Sequence, residues 1–180
     1  MKAIPNIDQD WTLFLDRDGV INIWLKGIYI KKWEQFSFEK NALKALKKLS
    51  KIFDRIIIVT NQQGIAKGLM THQDLEIVHR QMLDSIQQSG GRIDAVYYCP
   101  YMDGHPCRKP MPGMALSAKK DFPKIDFEKT IMVGDRNSDM KFGRSIGAFT
   151  CMVGNHEEVV NHEDIDAVFT NLEEFTLSIA

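Results

Sequence analysis

Short apolar runs alternate along this chain with longer stretches whose apolar residues recur every three or four positions. The runs "WTLFL" (11–15), "RIIIVT" (55–60), "DAVYYC" (94–99), "TIMVGD" (130–135), "AFTCMV" (148–153) and "AVF" (167–169) predict strands. "RIIIVT" is continuous and β-branched, as suits a central parallel strand covered on both faces. Between them, 41–53 places Leu43, Leu46, Leu49 and Phe53 on one helical face with lysines opposite. Residues 71–90 form a helix pattern with Thr71 as N-cap, Asp74 three residues on and Gly90 at the far end. Further helices are predicted at 112–122, with Pro112 near the start, at 138–147, closed by Gly147, and at "NLEEFTLSI". Such alternation predicts an α/β fold: a doubly wound, mostly parallel sheet with helices on both faces, in one domain spanning 1–180. Two irregular stretches, 20–38 and 99–111, leave the carboxyl ends of strands, where ligands bind in such sheets. The first is expected to form a flap and the second to shape the substrate site. The gaps between motifs are too short for a separate cap domain.

Composition changes this picture little. The 180 residues are 44% hydrophobic and 26% charged, ordinary values for a soluble globular protein. A net charge of −1 supplies no basic field for nucleic acid. No apolar run reaches membrane-spanning length, and the N-terminus lacks a signal-peptide layout. The expectation is a cytoplasmic monomer without nucleic-acid or membrane partners. Three cysteines, Cys99, Cys107 and Cys151, are too few for a disulfide-stapled fold and read as reduced thiols.

The polar residues at the predicted strand ends carry the chemistry. "FLDRDGVIN" delivers Asp16 and Asp18, "VTNQQGIAKG" delivers Thr60, Asn61 and Gln62, "CRKP" carries Arg108 and Lys109, and "VGDRNSD" delivers Asp135 and Arg136. Three acids sharing one crevice repel each other and call for a hard cation such as Mg2+. A hydroxyl and a lysine suit a phosphate group. One carboxylate can act as nucleophile and form an aspartyl-phosphate, and the next can carry a proton. Any one of these features alone is an ordinary loop or surface feature. Four at successive strand ends point to phosphoryl transfer.

These motifs resemble the haloacid dehalogenase (HAD) superfamily of phosphohydrolases. Within it, "FLDRDGVIN", "VTNQQGIAKG", "YYCP", "CRKPMPGM" and "MVGDRNSDM" are similar to the D-glycero-D-manno-heptose 1,7-bisphosphate 7-phosphatase family. Histidinol-phosphate phosphatases carry nearly the same motifs. The resemblance implies a HAD-like fold and a Mg2+-dependent phosphatase acting on a small phosphorylated sugar. It implies Asp16 as nucleophile, Asp18 as acid and base, Thr60 as a donor to the phosphoryl oxygens and Lys109 as the neutralising cation. Mg2+ would be held by Asp16, the Asp18 carbonyl and Asp135, with Asp139 behind, steadying Lys109 or a metal-bound water. Asn61, Gln62, Arg108 and Arg136 are expected at the substrate. Gly19 would let the chain turn sharply after the acids. Arg17 is either a surface ion-pair partner or a substrate contact. Trp24, Tyr29 and Trp33 either line a sugar pocket or pack the flap.

The chain departs from the family in "CPYMDGHPCRKP". Family members often bind structural zinc there through Cys-x-His and Cys-x-Cys. Here Cys99, His105 and Cys107 remain, Tyr101 replaces the His, and the spacer is short. Structural zinc wants four ligands, so Zn2+ would need Asp103 or a water to complete it. The other histidines, His72, His79, His156 and His162, are expected on surfaces or helix faces away from the motifs, and Cys151 in the core. Removal of 3′-phosphates from nucleic-acid ends is disfavoured by charge. A receiver-like module that keeps its phosphoryl group is disfavoured by Asp18, which would speed hydrolysis. A degenerate binding domain is disfavoured by the presence of all four motifs.

Overall fold

The computed structural model describes residues 2–154 and 162–179. Six strands form one sheet: β1 (Thr12–Leu15), β2 (Arg55–Asn61), β3 (Ala95–Cys99), β4 (Thr130–Gly134), β5 (Phe149–Val153) and β6 (Ala167–Phe169). Every pairing is parallel, in the order β3-β2-β1-β4-β5-β6. The chain therefore winds outward from β1 through β2 to β3, then returns to the other side of β1 as β4. That reversal opens a crevice at the carboxyl ends of β1 and β4, where doubly wound sheets bind ligands.

Five helices cover the sheet: α1 (Ala42–Ile52), α2 (His72–Gln88), α3 (Gly113–Asp121), α4 (Asn137–Ser145) and α5 (Leu172–Ser178). Alternate strand residues face opposite ways. Leu13, Leu15, Ile56, Ile58, Ile131 and Val133 pack against α1, α2 and α5 through Leu46, Leu49, Val78, Met82 and Phe175. Phe14, Ile57, Val59 and Met132 pack against α3 and α4 through Met114, Ala118 and Phe142. Both faces are covered, as predicted, and no separate cap domain stands among the described residues.

Local chemistry sets the element ends. The Thr71 hydroxyl accepts from the Asp74 N–H at 3.1 Å, while the Asp74 carboxylate accepts from the Thr71 N–H at 2.8 Å. Such a cap stabilises a helix start by about 1 kcal/mol. The stripe that α2 buries is Leu75, Val78, His79, Met82 and Ile86. His79 thus sits on the inner face, not at the surface. Its spacing of four from Leu75 and three from Met82 carried that signal. His72 lies at the exposed start of α2, as expected, with Nδ1 2.9 Å from the Tyr98 hydroxyl. His156 lies outside the described residues, and His162 opens a 3-10 turn.

The stretch after β1 folds over the crevice with little regular structure beyond a 3-10 turn at Trp33–Gln35. Trp33 stacks on Phe36 with ring centroids 4.9 Å apart and meets Phe38 edge-on, so it packs the flap. Trp24 and Tyr29 line the cavity beneath.

Candidate active site

A cavity of about 480 Å3 opens at the carboxyl ends of the central strands. Asp16, Asp18, Thr60, Asn61, Gln62, Arg108, Lys109, Arg136 and Asp139 all line it. Sheet register explains the convergence. Leu15 pairs with Ile58 on one side and Val133 on the other, so the residues just beyond meet at one level. The Asp16 N–H donates to the Val133 carbonyl at 2.9 Å, which fixes the first acid beside β4.

Lys109 arrives on the loop after β3 and is held by Asn61. The Asn61 side-chain amide donates to the Lys109 carbonyl at 3.1 Å, and its oxygen accepts from the Lys109 N–H at 3.0 Å. A side chain thereby imitates a strand partner for an otherwise irregular segment. The Lys109 ammonium lies 2.9 Å from Asp16 Oδ1 and 2.6 Å from Asp139 Oδ1, with all three side chains buried. Asp139 also accepts from the Arg136 N–H at 3.0 Å. The contact with Lys109 places Asp139 behind it, one of the two positions the resemblance implied.

Asp18 is gripped from several sides. Its Oδ1 accepts from Arg17 Nη2 and Asn22 Nδ2, and its Oδ2 from Arg17 Nη2 and Gln62 Nε2, all at 2.9 Å. Burial alone would raise its pKa. The Arg17 charge and these hydrogen bonds outweigh burial and hold the carboxyl below its ordinary range. Gln62 also donates to Thr60 Oγ1 at 2.9 Å, which leaves the hydroxyl proton for a ligand. Asn61 and Gln62, expected at the substrate, line the cavity and also position Lys109, Asp18 and Thr60. Asn22 and His79 were not identified from sequence, and Arg17 is corrected: it is no surface residue, being 1% exposed.

The remaining acids are short of positive charge. Carboxylate oxygens of Asp16, Asp135 and Asp139 lie within 4.8 Å of one another. Burial, then the charges of Asp139 and Asp16, push Asp135 up to about 8. Burial, only partly offset by Lys109, pushes Asp16 up to about 6. Asp135 Oδ1 is buried without a hydrogen bond and lies 3.8 Å from Arg136 Nε. An oxygen-lined, under-neutralised nook of this kind fits a hard divalent cation.

Gly19 is required where this nook meets β1. Its φ is +83°, and a Cβ there would strike the Asp135 carboxylate. Gly19→Ala is expected to cost about 1–2 kcal/mol from the left-handed backbone alone. It is also expected to weaken Mg2+ binding by displacing Asp135. Thermal melts with and without Mg2+ check both effects.

On the rim, Arg108 donates to Asp103 Oδ1 at 2.6 Å and to Gln63 Oε1 at 3.3 Å, and the Arg136 guanidinium lies 4.4 Å from the Trp24 ring centroid. Cys99 and Cys107 form a disulfide, with S–S 2.16 Å, which corrects the reading of reduced thiols. His105 Nδ1 lies 3.0 Å from Cys107 Sγ, so the three candidate zinc ligands do cluster. Zinc needs thiolates, and bonded sulfurs offer none. Asp103, the candidate fourth ligand, pairs with Arg108 instead. This triad as it stands does not fit zinc. Cys151 is buried in the core, as expected.

Fold and site together define a phosphatase of the HAD type: an acid at the first strand end, a second acid two residues on, a threonine, a lysine and an acid-lined nook. A HAD-hydrolase-like family model matches residues 106–175. A D-glycero-alpha-D-manno-heptose-1,7-bisphosphate 7-phosphatase of Mycobacterium bovis is 36% identical over 95% of this chain and 92% of its own. A D-glycero-beta-D-manno-heptose-1,7-bisphosphate 7-phosphatase of Escherichia coli is 37% identical over 78% and 73%. Among solved structures, the D,D-heptose 1,7-bisphosphate phosphatase of B. bronchiseptica, complexed with magnesium and phosphate, superposes with a TM-score of 0.84 at 27% identity, covering 94% of this chain and 97% of its own. The chain belongs to the HAD-like phosphatase family that includes these heptose bisphosphate phosphatases.

Proposed function

We propose that this enzyme hydrolyses the 7-phosphate of D-glycero-D-manno-heptose 1,7-bisphosphate through an aspartyl-phosphate on Asp16. The observation that carries the reading is the pairing at one strand end of two differently held acids. Asp16 faces Lys109 at 2.9 Å in the under-neutralised nook, while Asp18 is oriented by Arg17, Asn22 and Gln62.

In the first step a carboxylate oxygen of Asp16 attacks phosphorus, and the bond from phosphorus to the sugar oxygen breaks. Asp18, ionised in the free site, must take up a proton as substrate binds, and passes it to the departing oxygen. In the second step Asp18 takes a proton from water as the water oxygen attacks the same phosphorus. The bond to Asp16 then breaks and inorganic phosphate leaves. Thr60 donates to the phosphoryl oxygens, and Lys109 balances charge on Asp16 and on the transferring group. Asp16, Asp135 and the Asp18 carbonyl would hold Mg2+, which supplies further charge neutralisation when bound.

Arg108 and Arg136 on the rim suit the second phosphate of a bisphosphate, and Trp24 and Tyr29 offer apolar faces to the sugar. One chain contains every group the reaction needs, which supports a single-domain enzyme that works as a monomer. No helix among the described residues is long and apolar enough to cross a membrane. A charged sugar-phosphate substrate supports a cytoplasmic place of action. The test is a turnover screen over both anomers of the heptose bisphosphate, other sugar bisphosphates and histidinol phosphate. We expect kcat/KM for one heptose anomer to exceed that for histidinol phosphate by about 100-fold, a difference of about 2.7 kcal/mol. The reverse preference would overturn the substrate assignment.

A further inference from the structure

Arg17 and His79 have no part in the steps above. Arg17 heads the fully buried side chains by size, although it lies between the two acids of the first motif. Its Nη2 donates to both oxygens of Asp18 at 2.9 Å, and its Nη1 lies 3.0 Å from Nε2 of His79 on α2. A guanidinium has only donors. His79 Nε2 is therefore the acceptor, and Nδ1 carries the ring proton. Burial, reinforced by the Arg17 charge, lowers His79 to about 3, so the ring stays neutral. The Tyr98 ring meets it near edge-on, with centroids 6.0 Å apart. A polar ring on an apolar helix face is costly to bury without a partner. Here the guanidinium is that partner.

We propose that His79 is a positioning residue for Asp18, acting through Arg17. The inference rests on Asp18 carrying the proton in both chemical steps. A guanidinium is a rigid planar fork. Anchoring Nη1 on α2 sets the direction in which Nη2 points, and Nη2 sets the plane of the Asp18 carboxylate. Asn22 and Gln62 still hold Asp18 when that anchor is lost. The carboxylate then stays in the site but is less well aimed. Removing His79 should slow proton transfer without removing substrate binding.

Three variants and one spectroscopic measurement test this. His79→Leu removes the acceptor at similar volume, His79→Gln keeps a side-chain oxygen acceptor, and Asp18→Asn is run beside them. We expect His79→Leu to lower kcat about tenfold, the scale of losing a group that orients a reacting side chain. KM should change less than about threefold, because the phosphate-binding groups are untouched. His79→Gln should recover most of the loss. With an aryl phosphate, whose leaving group departs without protonation, the defect should move to the second step. It would then appear as a burst of phenolate and accumulated phosphoenzyme, which a general loss of structure would not produce. NMR of the imidazole nitrogens in the unaltered protein should show Nε2 unprotonated, a readout that survives if His79→Leu fails to fold. A protonated Nε2, or a folded His79→Leu variant with full activity on alkyl and aryl phosphates, would overturn the proposal. So would a His79→Gln variant as impaired as His79→Leu. If Asp18→Asn itself retains turnover, the proton-carrier reading fails. If Asp18→Asn is inactive and His79→Leu is not, only the role of His79 falls.

Discussion

Asp16→Asn is expected to lower kcat at least about 10^4-fold, as loss of a covalent nucleophile does elsewhere, while the fold persists. Asparagine matches aspartate in shape. It can still accept from the Arg17 N–H, which lies 2.7 Å from Asp16 Oδ1. Its amide oxygen is too weak a nucleophile to attack phosphorus. Lys109 keeps its second partner, Asp139, at 2.6 Å, so the substitution leaves no buried ammonium alone. It also removes one of the crowded acids that burial pushes up to about 6. The metal-free variant should therefore melt no lower than the parent near pH 8. Acid quenching during turnover should trap phosphoenzyme in the parent and none in the variant. Retained activity in Asp16→Asn would end the nucleophile assignment.

Chelating Mg2+ is expected to reduce turnover at least about 10^3-fold, because phosphoryl transfer depends on neutralising charge. A second readout needs no activity. Asp16 sits at about 6 and Asp135 at about 8 in the folded metal-free protein, both above the ordinary 3.8. Below about pH 4 both acids are protonated whether folded or not, and they contribute nothing. As pH rises beyond that, the unfolded chain releases protons that the folded protein retains. By linkage the metal-free protein loses stability through pH 6 and up to about 8. A divalent cation binds the ionised acids and must compete with protons at low pH. Its stabilisation should thus be small at pH 5 and largest at pH 8, reaching about 2.7 kcal/mol at a hundredfold excess over Kd. An equal Tm shift at both pH values would show that these two acids do not hold the cation.

Much of this site is legible in the amino-acid sequence. Apolar period and capping residues are local properties, so each strand and helix was placed within a residue or two. The acids follow strand ends because a buried parallel strand does not hold a charge inside, while Thr60 closes β2 from within and Lys109 comes from the loop after β3. Reading the motifs in chain order was therefore enough to propose Asp16, Asp18, Thr60, Lys109 and Asp135 as one group. Asp18, an acid two residues after Asp16, disfavours a receiver-like module, because it would speed hydrolysis.

Other features depend on which elements meet. The order β3-β2-β1-β4-β5-β6 sets Asp135 beside Asp16, a juxtaposition of residues far apart in sequence that no local pattern specifies. The flap chose among its aromatics by packing: Trp33 found Phe36 and Phe38, leaving Trp24 and Tyr29 for the cavity. Cys99 and Cys107 pair because the loop folds back on the end of β3, and spacing alone left bonding and metal ligation open. Asn61 lines the cavity and also holds the Lys109 backbone, a partner distant in sequence that no local pattern names. His79 shows the division most plainly. Its place in the Leu75–Met82 stripe carries the signal of burial, which the expectation of a surface or helix-face position passed over. Only the docking of α2 against the first strand end shows that the group it meets is Arg17, and through Arg17 the acid that carries the proton. Periodicity reports that a face is covered; the partner covering it is settled by tertiary packing, because side chains distant in sequence meet only when the sheet and helices close around one core.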